Sequence, residues 1–147
     1  MSYNFKLQKV LDVKKVREEL IEVKLAELEK LAERQRKELI AVEEAKKEYM
    51  VRRTQERQKE KCLVEEAFFE KMLNNLERKI EELKSYLREL EQQIARTREE
   101  LVCASLERKV MEKLRDRDYQ EFSLNVQRSN QKLLDEVAIQ MYLRRKM

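Results

Sequence analysis

The chain has 147 residues, 44% of them charged, with 34 basic against 30 acidic side chains and no Gly, Pro, His or Trp. Turns recruit Gly, Pro and Asn for their backbone angles, so a chain lacking the first two has room for very few, which argues against sheets, barrels and sandwiches. Without imidazoles or glycines there is no His base or His metal ligand and no Gly-rich phosphate loop, so no cofactor is expected.

What remains is a chain dominated by Ala, Glu, Lys, Leu and Arg, the composition of coiled coils and long helices. No segment approaches the ~20 apolar residues needed to cross a bilayer. The opening MSYNFKLQKV lacks the apolar core of a signal peptide. No membrane insertion and a cytoplasmic location are therefore expected. The net charge of +4 is spread over an intermixed surface. Basic residues gather at Lys46, Lys47, Arg52, Arg53, Arg57, Lys59 and Lys61, but Glu48, Glu56 and Glu60 dilute them. That reads as a solvated face, and nucleic acid is not an expected partner.

In chain order, the first predicted element is a helix over about residues 4–53. Leu7, Leu11, Ile21, Leu25, Leu28, Ala32, Leu39, Val42 and Tyr49 fall on one 3,4-spaced seam, with Lys14, Glu18, Gln35 and Lys46 at its remaining positions. Glu33 with Lys37, Glu43 with Lys47 and Glu48 with Arg52 are i,i+4 pairs in the favourable order. The seam then loses its apolar residues, which places a connection at about residues 54–61. A second helix is predicted over about residues 62–142. Leu73, Leu76, Ile80, Leu83, Leu87, Leu90, Ile94, Leu101 and Ala104 form its seam, interrupted by Thr97.

The expected fold is all-α, one domain over residues 1–147: a long antiparallel two-helix coiled-coil hairpin with a C-terminal helical extension. Folding back near residues 54–61 brings Leu39 to Leu76 and Leu7 to Val110. A single unbroken helix pairing with a second chain is the competing arrangement. Leu106, Val110 and Leu114 follow at spacing four, which reads as a stutter in the seam. A last stripe, Leu134, Val137, Ala138 and Met141 with Tyr142 beside it, has no partner left on its own chain. Cys62 and Cys103 lack a CxxC neighbour and are read as free thiols.

The two ends carry a resemblance that heptads alone do not. FKLQKVLDVKKVREE at residues 5–19, EKLRDRDYQEF at 112–122 and LLDEVAIQMYLRR at 133–145 resemble the bacterial flagellar export protein FliJ. The resemblance implies a non-enzymatic coupling and escort protein of flagellar type III secretion. Its implied partners are the hexameric export ATPase, the cytoplasmic domain of the membrane export gate and export chaperones. It further implies a monomer when free, peripheral to the inner membrane through the export apparatus. The family's gate-binding positions fall on Met72, Leu76, Lys79 and Leu83. Of these only Leu76 matches the family pattern outright, with Phe68 and Phe69 close by as aromatics. Docking to the ATPase ring is expected at Leu7, Leu11, Leu134, Val137 and Met141. Two other readings are a stalk protein of a virulence-type secretion system and a plain structural coiled coil that dimerises along its length.

Overall fold

The computed structural model of the chain describes residues 2–57 and 63–146. Cys62 and the 58–61 part of the expected connection, with Lys59 and Lys61, lie outside them. The described residues form two α-helices, α1 (Gln8–Arg57) and α2 (Leu63–Lys146), and no strand. The helices pack against each other as an antiparallel pair, and residues 54–57 are part of α1. There the Thr54 hydroxyl donates to the Met50 carbonyl at 2.9 Å, the back-bonding by which a helix accommodates threonine. Glu65 and Glu66 in the first turn of α2 and Arg144, Arg145 and Lys146 in its last complement the helix dipole.

The contacts divide the chain into two compact units, Leu20–Leu101 and Met1–Glu19 with Val102–Met147. In the unit Leu20–Leu101 the heptad seams of the two helices interdigitate. Ala32, without exposed surface, lets the backbones approach, and Leu87, Leu90 and Ile94 close over it with Leu25, Leu28, Leu31 and Leu39 packed around them. Val42, Ile80 and Leu83 form a second cluster, joined by Leu39 and Leu76. Each such Leu, Ile or Val contributes roughly 1.5–3 kcal/mol when fully buried. Leu28 with Leu87, and Leu39 with Leu76, share clusters as the hairpin reading requires, so the chain is not one unbroken helix. Thr97 sits in the seam with its hydroxyl returned to the Gln93 carbonyl at 2.8 Å, so a buried polar side chain is satisfied within its own helix. Beside the aliphatic clusters, Arg98–Glu29, Arg36–Glu91, Lys79–Glu38 and Lys46–Glu77 link the helices at 3.2, 3.8, 3.6 and 3.4 Å. These exposed pairs set register more than stability, since each is worth about 0–1 kcal/mol.

The unit Met1–Glu19 with Val102–Met147 is built differently. Phe5, Leu11 and Ala104 are its buried apolar residues. The stutter expected through Leu106, Val110 and Leu114 is not the seam, for all three are exposed. The half-buried positions of α2 are instead Ser105, Arg108, Met111, Glu112, Arg115, Phe122, Ser123 and Val126. From Ala104 the seam advances by eleven: Ala104, Arg115 and Val126 repeat at that interval. An eleven-residue repeat matches 3.67 residues per turn, where the seven-residue repeat of residues 73–101 matches 3.5. Arg108 takes the place of an aliphatic residue here, its stem half-buried and its guanidinium paired with Glu18 on α1.

Candidate functional site

Around Leu11 the seam is polar. Glu18 is only 9% exposed, yet its carboxylate is fully engaged: Ser105 Oγ donates to it at 2.9 Å and the Arg108 guanidinium closes on it from the next turn. Arg108 simultaneously holds Glu112 with Nη1 at 3.0 Å from both carboxylate oxygens. The Arg108 hydrogen bond, then that of Ser105, keeps the Glu18 carboxyl below its ordinary pKa, and the same pair raises that of Arg108. One turn away Lys14 donates to Glu107 at 2.9 Å, with Arg17 at 3.7 Å, and the Lys14 bond lowers the Glu107 carboxyl in turn. This network fixes which turn of α1 faces which turn of α2, a register that aliphatic seams alone leave loose.

Ahead of α1 the lead at residues 2–7 is non-helical, and the Phe5 carbonyl accepts the first backbone hydrogen bond of the helix from Gln8 at 3.1 Å. Tyr3 lies edge-on to Tyr119 with ring centroids 5.1 Å apart and tilted against Phe122 at 5.4 Å. Its hydroxyl donates to Asp118 at 2.9 Å and to the Arg115 carbonyl at 3.3 Å. Desolvation first, then the Asp118 carboxylate, raises the Tyr3 pKa. An open depression of about 880 Å³ runs along this lead, bounded by Leu7 on one side and by Leu114, Phe122 and Asn125 on the other. Leu7 and Leu114 both line it, while Val110 is not among its lining residues.

Beyond Val126 α2 has no neighbour among the described residues: positions 127–146 are exposed on every side. Leu134, Val137 and Met141 are 63%, 50% and 61% exposed. Of the expected ATPase-docking residues, these three and the 43%-exposed Leu7 offer surface. Leu11 does not, being completely buried, and can act only by holding the start of α1 in place.

The expected gate-binding set lies in the unit Leu20–Leu101. Leu83 is a core residue and Leu76 is half-buried against the same cluster. Met72 is half-buried, and Lys79 is exposed and paired with Glu38 on α1. Phe68 is 60% exposed, while Phe69 packs on Tyr49 with centroids 4.9 Å apart. A partner reaching this set would touch Phe68, Met72 and Lys79, with Leu76 and Leu83 beneath them.

Sequence reasoning placed Glu18 on the seam but did not find its partners Ser105 and Arg108, nor the Tyr3–Tyr119–Phe122 contact. The signal was the aromatic pair in DYQEF, spaced to meet an aromatic in the lead. Among the described residues, no group of three or more His, Cys, Asp or Glu could hold a metal ion, and no helix is long and apolar enough to cross a membrane. Cys103 is an exposed free thiol. A family model described as Flagellar FliJ protein matches residues 3–147. No curated protein and no solved structure matches the chain with significance.

Proposed function

The chain belongs to the flagellar FliJ protein family and is thereby a protein of flagellar export; on that premise we propose that it works as a non-enzymatic coupling and escort factor of the type III export apparatus. In this reading the exposed C-terminal part of α2 docks onto the export ATPase ring, and the surface around Met72 and Lys79 meets the cytoplasmic domain of the export gate. Export chaperones are further partners, and the protein acts in the cytoplasm, reaching the inner membrane only through the apparatus.

The observation that supports the reading most is the bare length of α2. An amphipathic helix draws most of its stability from burying its apolar face. Leu134, Val137 and Met141 are more than half, or half, exposed in a segment that no other described residue covers. A surface of this kind is the form in which helix-in-groove recognition presents itself. The test is co-purification with the cognate export ATPase. Deleting residues 133–147 is expected to abolish capture of the ATPase while the melting temperature of the remaining hairpin stays put. Undiminished capture by the deleted chain would remove the C-terminal segment from the function.

A further inference from the structure

The eleven-residue ladder does not stop where the chain's own cover stops. Its rungs run Ala104–Arg108–Met111, then Arg115–Tyr119–Phe122, then Val126–Asn130–Leu133, then Val137–Met141–Arg144. The first group faces α1, where Arg108 meets Glu18. Tyr3 of the lead covers the second. The third is half-buried at Val126 and then bare, and the fourth is bare throughout, with Leu133 60% and Val137 50% exposed. The face that α1 and its lead occupy therefore continues, at unchanged spacing, through two further repeats with no described residue on it.

Charge narrows what fits there. Residues 127–146 carry Arg128, Lys132, Arg144, Arg145 and Lys146 against Asp135 and Glu136. The bare ladder sits in a net basic stretch, whereas the chain as a whole is nearly balanced. Asn130 interrupts the apolar rungs Val126, Leu133, Val137 and Met141, with Arg144 closing the ladder, and an Asn inside such a seam selects register at some cost in stability.

We propose that this continued face is a seat for one acidic amphipathic helix of a partner protein, laid in the place α1 vacates and matched to an eleven-residue, not a seven-residue, repeat. The inference rests on the C-terminal docking reading above and adds the chemistry and the geometry of what docks. A helix with 4,3,4-spaced aliphatic residues keeps contact over both bare repeats. A heptad helix drifts out of phase, because its stripe winds the other way around the axis.

The test uses the full-length chain and synthetic helical peptides rather than the unidentified partner. One acidic peptide carries Leu and Ile at 4,3,4 spacing, a second of identical composition carries them at 3,4 spacing, and a third keeps the 4,3,4 spacing with Lys in place of Glu. Binding is followed by hydrogen exchange over residues 126–146. The first peptide is expected to protect these amides and to bind about tenfold or more tightly than either of the others. Leu133→Glu with Val137→Glu should abolish that binding, while Leu124→Glu with Ile139→Glu, exposed residues off the ladder, should leave it intact. Equal binding of the heptad peptide, protection outside residues 126–146, no binding by any peptide, or protection in the free chain from a second copy would each overturn the proposal. ATPase capture is scored separately with the same variants. Undiminished capture by Leu133→Glu with Val137→Glu, with peptide binding abolished, would overturn the docking reading and leave the acidic-helix seat standing.

Discussion

Glu18 shows how much one side chain can decide in a seam of this kind. A carboxylate at a position 9% exposed is tolerable only because Ser105 and Arg108 both donate to it, and Arg108 is itself steadied by Glu112. Removing one member of such a group strands the others, which is costlier than never having had it. The pH consequence follows from the sign of the shift. The Glu18 carboxyl is held below its unfolded value, so its contribution is fully present above the ordinary Glu range and is lost as pH falls through the folded value. Glu107, lowered through Lys14, acts in the same direction. Melting temperature should thus fall between about pH 5 and pH 3, and Glu18→Gln should make that fall shallower while lowering stability at neutral pH. Parallel curves for the two proteins would exclude Glu18 as a source of the acid sensitivity. In the heptad unit the deciding residues are aliphatic. Leu90→Ala, at 3% exposure, should cost ~2–5 kcal/mol in chemical unfolding. Leu106→Ala, at 56%, should stay within about 0.5 kcal/mol, and a large loss there would restore it to the seam.

At the scale of helices, legibility tracked how aliphatic a seam was. Leu73, Ile80, Leu83, Leu87, Leu90 and Ile94 are buried as their 3,4 spacing required, and the Thr97 interruption lies where the pattern put it. Hydrophobicity misled just past Ala104, since the aliphatic Leu106, Val110 and Leu114 point outward while Arg108 and Arg115 are drawn in. A seam that draws in Arg108 and Arg115 leaves little apolar trace, and only the recurrence of Ala104, Arg115 and Val126 by eleven marks it. The lead was illegible for another reason. Tyr3 and Phe5 precede the helix, so no periodicity carries them, and Tyr3 is placed by aromatic contacts made across more than a hundred residues of sequence. The C-terminal surface, by contrast, was readable from the mere lack of a counterpart for Leu134, Val137 and Met141. That bare stretch bears a prediction of its own. Without a partner face its helix rests on propensity and i,i+4 contacts such as Gln131 with Asp135 at 3.1 Å. Its amides should exchange far faster than those of residues 80–94 in the free protein and slow when the export ATPase is added. Protection equal to that of the heptad core would mean the stripe is already covered.

For the molecule as a whole, the two expected binding surfaces share no residue and fall in different units: Met72 and Lys79 in Leu20–Leu101, Val137 and Met141 in the other. Each unit has its own packing between α1 and α2, so a lesion in one surface should leave the other working, as additivity holds for sites without common partners. Met72 is half-buried off the cluster formed by Val42, Ile80 and Leu83, and Lys79 contributes only an exposed 3.6 Å pair with Glu38. Met72→Ala with Lys79→Glu is accordingly expected to cost little helicity and no more than about 1 kcal/mol through the lost ion pair. It should weaken binding to the cytoplasmic domain of the export gate while ATPase capture is unchanged. Val137→Glu with Met141→Glu should do the reverse. Leu76→Ala serves as the control for packing: it vacates a place beside Ile80 and Leu83, so it should lower stability by roughly 2 kcal/mol or more. A gate affinity that follows Leu76→Ala and ignores Met72→Ala with Lys79→Glu would show that the gate reads the integrity of the hairpin and not this surface. Gate affinity untouched by all three changes would move the contact elsewhere on the chain, with the exposed Phe68 face the next surface to alter.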